Sequence, residues 1–224
     1  MSENIDLYTI AHKGQRGMFF KIAKWAGTLN IADKEEVDKF SEELLGFREQ
    51  MRIHAALEEK LIHPLLAERV PGGARRLEDD HRVMHQQFDD LVADLDALKA
   101  KAVDFEKNRG IVLEFYRGWN RFLVFYFSHI DFEEEGVMPT LWKVSTGQEL
   151  GDVFKRFLAS LSFKELTYHL EMMLPAMNLT ERVTMLTQGK ASMPPEAFQS
   201  VLKVAEHALN AEDWKVLKTK LGLT

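Results

Sequence analysis

The chain has 224 residues, enough for one large domain or for one domain with a smaller companion. Its 46% hydrophobic and 10% aromatic residues supply a core, and a net charge of −6 argues against binding nucleic-acid phosphates. With no cysteine there is no disulfide, thiolate zinc site, iron–sulfur cluster or cysteine nucleophile. Apolar runs fall short of the ~20 residues of a membrane helix. The start, MSENIDLYTIAHKGQ, lacks a basic-then-apolar signal pattern, so a cytoplasmic protein is expected.

Helical periodicity runs from end to end, and an all-α fold follows. The first segment, roughly Asp6 to Leu29, carries Tyr8, His12, Phe19, Ile22, Ala26 and Leu29 on one stripe. Asn30 to Ala32 reads as a turn, and Asp33-x-x-Glu36 as a capping box. The second helix has Val37, Phe40, Leu44, Phe47, Met51, His54, Glu58 and Leu61 in a 3-4 pattern. Pro64 should kink or end it, and Pro71-Gly72-Gly73 closes it. A third helix aligns Leu77, His81, Met84, Phe88, Leu91, Leu95 and Leu98. A fourth, from near Glu106, aligns Val112, Phe115, Trp119, Phe122, Tyr126, His129 and Glu133 before Pro139 interrupts it. Four amphipathic helices with short connections predict an antiparallel four-helix bundle over residues 1–146. Residues 147–224 read as an extension of shorter helices, expected to dock on the bundle. Ser162-x-x-Glu165, Thr180, Pro195 and Asn210-x-x-Asp213 mark helix starts there, and Gly222 a helix end.

Polar residues interrupt these apolar stripes in a regular way. His54 and Glu58, and His129 and Glu133, are i, i+4 pairs that point the same way one turn apart. His81 and His85 have the same spacing, and His12 sits on the stripe of the first helix. Burying so many ionisable groups is costly without compensation. A pair of metal ions compensates: imidazole suits iron, and carboxylates can bridge two ions.

The sequence also repeats. HAALEEKLIHP from His54 and HIDFEEEGVMP from His129 share H-x-x-x-E-E-x-x-x-x-P, while HKGQRGMF from His12 aligns with HRVMHQQF from His81. Where the second pair has His85 the first has Arg16, which stays protonated and cannot ligate. One metal would then take three histidines and the other two, leaving the second a position for a small molecule.

The combined set resembles the hemerythrin-like (HHE cation-binding) proteins. The resemblance covers roughly Leu7 to Trp142 and implies a non-haem di-iron centre in a four-helix bundle, with zinc or manganese as possible substitutes. Carried over by position, it makes His81, His85 and His129 ligands of one iron, and His12 and His54 ligands of the other. Glu58 and Glu133 become the bridging carboxylates. The invertebrate oxygen carriers place an aspartate five residues after the last histidine, whereas this chain has Glu133, Glu134 and Glu135. Glu133 lies ~40° from His129 around the helix and Glu134 ~140°, so Glu133 is chosen with Glu134 in reserve. A ferritin-like site wants Glu-x-x-His on two helices, and only Glu78-x-x-His81 occurs.

The remaining histidines, His63, His169 and His207, read as satisfied core or boundary residues. His63 is nine residues from His54, half a turn round a continuous helix, and should face away. Tyr8, Tyr126, Phe19, Phe88, Phe122 and Trp119 read as core around the site. Three functions stay open. The centre binds O2, nitric oxide or peroxide for sensing, storage or stress response; or it consumes them as an enzyme; or the bundle is mainly an interaction protein acting through its C-terminal helices.

Overall fold

A computed structural model describes residues 5–101 and 105–223, with the side chains of residues 100, 101 and 105–109 aside. The fold is all-α, and no strand occurs among the described residues. Helices α1 (Thr9–Thr28), α2 (Lys34–Leu61), α3 (His63–Arg69), α4 (Arg75–Lys101) and α5 (Phe105–Phe132) are followed by a π-helical turn at Glu133–Val137. Then come α6 (Met138–Val144), α7 (Gly147–Ser160), α8 (Phe163–Ala176), α9 (Leu179–Ser192), α10 (Pro195–Ala208) and α11 (Ala211–Leu221).

The chain forms two compact units: residues 1–8 with 18–160, and residues 9–17 with 161–224. Helix α1 therefore contributes its first nine residues to the second unit and the rest to the first.

The first unit is an antiparallel bundle. Phe47 of α2 meets Phe88 of α4, while further up α2 Glu58 meets His81, earlier in α4, so the two helices run in opposite directions. The same reversal relates α4 and α5, through Phe88 with Trp119 and His81 with His129. The interior is an aromatic stack. Phe19 sits edge-on to Phe47 at 4.8 Å between ring centres, and Phe88 edge-on to Phe122 at 5.2 Å. Such pairs add stabilisation beyond area burial. The layer lies directly beneath the polar cluster, because the stripes that place these rings inward also place His54, His81 and His129 inward one or two turns on.

Helix starts follow local chemistry. Asp33 caps α2 by accepting from the Glu35 and Glu36 backbone N–H groups. The reciprocal half of the expected capping box is replaced, since Glu36 instead accepts from the Trp25 indole at 3.1 Å. Helix α7, taken from the sequence as part of the extension, counts with the first unit. It packs on α2 and lays Phe157 against His54, with ring centres 6.3 Å apart.

In the second unit α8 packs on α10 and α9 on α11 around Leu174, Leu186, Ala205 and Leu217. Capping boxes start α8 at Ser162 and α9 at Asn178. The α9 cap is thus Asn178, not Thr180. Glu181 lies three residues after Asn178, where its carboxylate returns to the Asn178 backbone N–H at 2.9 Å. Arg182 is buried: Nε donates to the Leu174 carbonyl at 2.7 Å and Nη1 pairs with Asp213 at 3.0 Å. Asn210 caps α11, and Gly222 ends it in the left-handed conformation at φ 65°.

Candidate metal centre

The polar cluster is assembled by α2, α3, α4, α5 and the π-helical turn. His54 and Glu58 lie one turn apart on the inner face of α2, with Nε2 2.8 Å from Oε1. The second carboxylate oxygen of Glu58 is 3.4 Å from His81 Nε2. One carboxylate thus faces an imidazole with each oxygen, the disposition a bridging ligand needs. On α5, His129 Nε2 is 3.3 Å from Glu133 Oε1. His54, Glu58, His81, His129 and Glu133 are all buried. Of the three consecutive glutamates, Glu133 is buried, Glu134 half-buried and Glu135 exposed. The π-helical turn begins at Glu133, and the Met138 N–H reaches back to its carbonyl. This extra residue in the turn absorbs the strain that Pro139 would otherwise place on a regular helix.

His12 is fully buried on α1, in the stretch of that helix that counts with the second unit. Arg16, one turn on, is partly exposed.

Two further carboxylates, not singled out in the sequence, hold the outer nitrogens of the imidazoles. His81 Nδ1 is 3.0 Å from Glu59 Oε1, and His129 Nδ1 is 3.3 Å from Asp80 Oδ2. An imidazole that donates through Nδ1 to a carboxylate keeps the Nε2 lone pair for a metal, and its ring orientation is fixed. Asp80 is itself steadied by Arg76 at 3.6 Å, whose guanidinium lies 3.8 Å over the Phe132 ring. In the sequence Glu59 is visible only as the second member of the repeated E-E doublet, and Asp80 only as the residue before His81.

The structure differs from the sequence expectation at His63. His63 does not face away: it is 2% exposed, and its ring stacks on His81 at 5.2 Å. Ligand atoms of His63, His81 and Glu133 lie within 4.8 Å of one another. His85 is half-buried and does not belong to that group. It is one of the residues that line a cavity. His169 matches its reading, buried with its Nδ1 donating to the Glu165 carbonyl at 2.8 Å, whereas His207 is exposed rather than a core or boundary residue.

The cavity abuts the cluster inside the first unit. It has a volume of about 20 Å³, room for one water-sized molecule. It is lined by His54, Glu58, His81 and His129 together with Met51, Ala55, Met84, Phe88, Phe122 and Tyr126. Arg48, Arg52 and His85 complete the wall, and both arginines bind Asp89.

The electrostatics match an acidic, desolvated pocket. Burial alone would lower the His81 imidazole, but Glu58, Glu133 and Glu59 outweigh it and hold the pKa at about 9. Burial, then the carboxylates of Glu133 and Glu58, push the Tyr8 phenol well above its usual 10. Burial lowers His63, and burial with the Arg52 charge lowers His85.

A helical bundle with this His/Glu cluster defines a metal-binding protein. The model of the hemerythrin HHE cation binding domain family matches residues 4–141, and the chain belongs to that family, with further helices beyond the matched region. No curated protein and no solved structure matches the chain. No described helix is long and apolar enough to cross a membrane.

Proposed function

We propose that this protein holds two iron ions in the bundle and binds O2 or a related small molecule, nitric oxide or peroxide, for sensing, storage or stress response. The observation that carries this reading is Glu58. It is buried, directs one oxygen at each of two imidazoles, and borders a small cavity. His54, His81 and His129 would bind through Nε2, with Glu58 and Glu133 as bridges. The place of His12 in the internal repeat supports it as the second histidine of the other metal. Imidazole and carboxylate suit iron, and accept zinc or manganese as substitutes.

An iron pair held there would supply a coordination position and the electrons for a redox change. The chain's own residues supply the surroundings. Glu59 and Asp80 fix ring orientation, and Phe88, Phe122 and Tyr126 give the cavity apolar walls. Tyr8 keeps its phenolic proton next to the buried carboxylates. The small size of the cavity favours a very small ligand over an organic substrate.

Metal analysis and the ultraviolet–visible spectrum of aerobically purified protein test this reading. Two irons per chain and a spectral change reversed by removing O2 are expected. Sustained consumption of peroxide or nitric oxide would instead make the centre an enzyme. A single ion, or zinc alone, would favour an interaction protein acting through the C-terminal helices.

A further inference from the structure

We infer that His63, not His85, is the third histidine of the metal held by His81 and Glu133. The inference rests on the metal-centre reading above and deepens it. On an unbroken helix, nine residues from His54 would turn His63 about 180° away. The helix is broken, however. Pro64 has no N–H to donate and its ring opposes the carbonyl four residues back. Helix α2 ends at Leu61, Ile62 has φ −98° and ψ −49°, and α3 restarts at His63. At this junction His63 is turned into the bundle, where it is buried and stacks on His81.

Burial of this ring needs an explanation. Neither Nδ1 nor Nε2 of His63 has a hydrogen-bond partner among the described residues, although both are inaccessible to solvent. A buried imidazole with both nitrogens unsatisfied costs several times what a satisfied one does. His169 shows the ordinary solution, a backbone carbonyl accepting from Nδ1. His63 has no such carbonyl, but it has His81 and Glu133 as co-ligands within 4.8 Å. Donors about 2.1 Å from one ion lie at most about 4.2 Å apart, so small side-chain shifts close this set on a metal.

The internal repeat supports the assignment. Aligning His54 with His129 places His63 opposite Met138. Met138 is buried too, and its sulfur already accepts the Leu7 N–H at 3.4 Å. The asymmetry between the two halves, three histidines against two, is thus carried by His63 and Met138 rather than by His85 and Arg16. His85 is left on the cavity wall near Arg52, its Nε2 buried without a hydrogen-bond partner among the described residues but outside the group formed by His63, His81 and Glu133.

The test is iron(II) loading of the full chain under anaerobic conditions, read as metal per chain and as affinity, with circular dichroism as a check on folding. His63→Ala and His63→Met are expected to lose one of the two equivalents, or at least tenfold in affinity. Added imidazole should restore the loss in His63→Ala, which a packing defect would not allow. His85→Ala should keep both equivalents. Full loading of both His63 variants, or loss of a metal in His85→Ala alone, would overturn the assignment. If His63→Ala does not fold, His63→Met decides, since methionine fills the same place in the other half of the repeat. A wild-type chain that binds no iron would instead remove the metal-centre reading itself.

Discussion

At the level of single residues, the cluster divides into groups that would touch metal and groups that aim them. Glu58 and Glu133 are buried against the imidazoles, and Glu134 is not. Glu58→Ala or Glu133→Ala should therefore abolish binding of a metal pair, while Glu134→Ala should leave metal content unchanged. Elemental analysis separates them. Asp80 and Glu59 act one step further out. Asp80→Ala and Glu59→Ala should each weaken metal affinity by about 10–100-fold, the usual effect of freeing a ligating imidazole, with the fold intact. A competition titration against a chelator of known affinity checks this. Most of the inner residues were legible from the sequence, because His54 with Glu58 and His129 with Glu133 interrupt apolar stripes at i, i+4. His63 was not, because its position depends on a break whose angle a periodicity argument does not contain. Glu59 and Asp80 were not, because an outward-facing carboxylate on a charged helix looks like any solvated one.

Individual helices show the same division between pattern and contact. Stripe and cap signals located most helix starts, and Ser162, Pro195, Asn210 and Gly222 act where their chemistry suggests. Asn178 and Thr180 are both good caps, and only the spacing to Glu181 decides between them. Glycines divide by what surrounds them, which no sequence pattern shows. At Gly14 a Cβ would lie 3.1 Å from the Met173 Cα, so α1 and α8 meet there at backbone distance. At Gly110, in α5, a Cβ would meet nothing within 4 Å. Gly14→Val should therefore destabilise the second unit by about 1–3 kcal/mol, as overpacking does. Gly110→Ala should stabilise the protein by up to about 1 kcal/mol through helix propensity alone. Denaturant midpoints of the two variants against wild type give both signs, and a stabilised Gly14→Val would show that the helices separate there without cost.

For the molecule as a whole, the metal centre couples stability to pH. In the metal-free protein His81 has its pKa raised from 6.5 to about 9 by the buried carboxylates. A raised folded-state pKa means the folded form holds that proton more tightly than the unfolded chain. Its stabilisation is fully present below pH 6.5 and is lost as pH rises through about 9. Metal-loaded protein has no proton on His81 to lose, because the ligand must be deprotonated. Proton competition for the site also fades over the same range, so metal binds more tightly as pH rises. The two statements describe one linkage seen from either state. The difference in melting temperature between loaded and chelator-treated protein should therefore widen from pH 6.5 to pH 9. Metal at 100 times its dissociation constant adds about 2.7 kcal/mol. That is about 5–10 °C for a chain of this size. Thermal melts with and without chelator at several pH values measure this directly. A gap that stays constant, or narrows, would mean that His81 is not displaced from its proton by the metal and lies outside the ligand set.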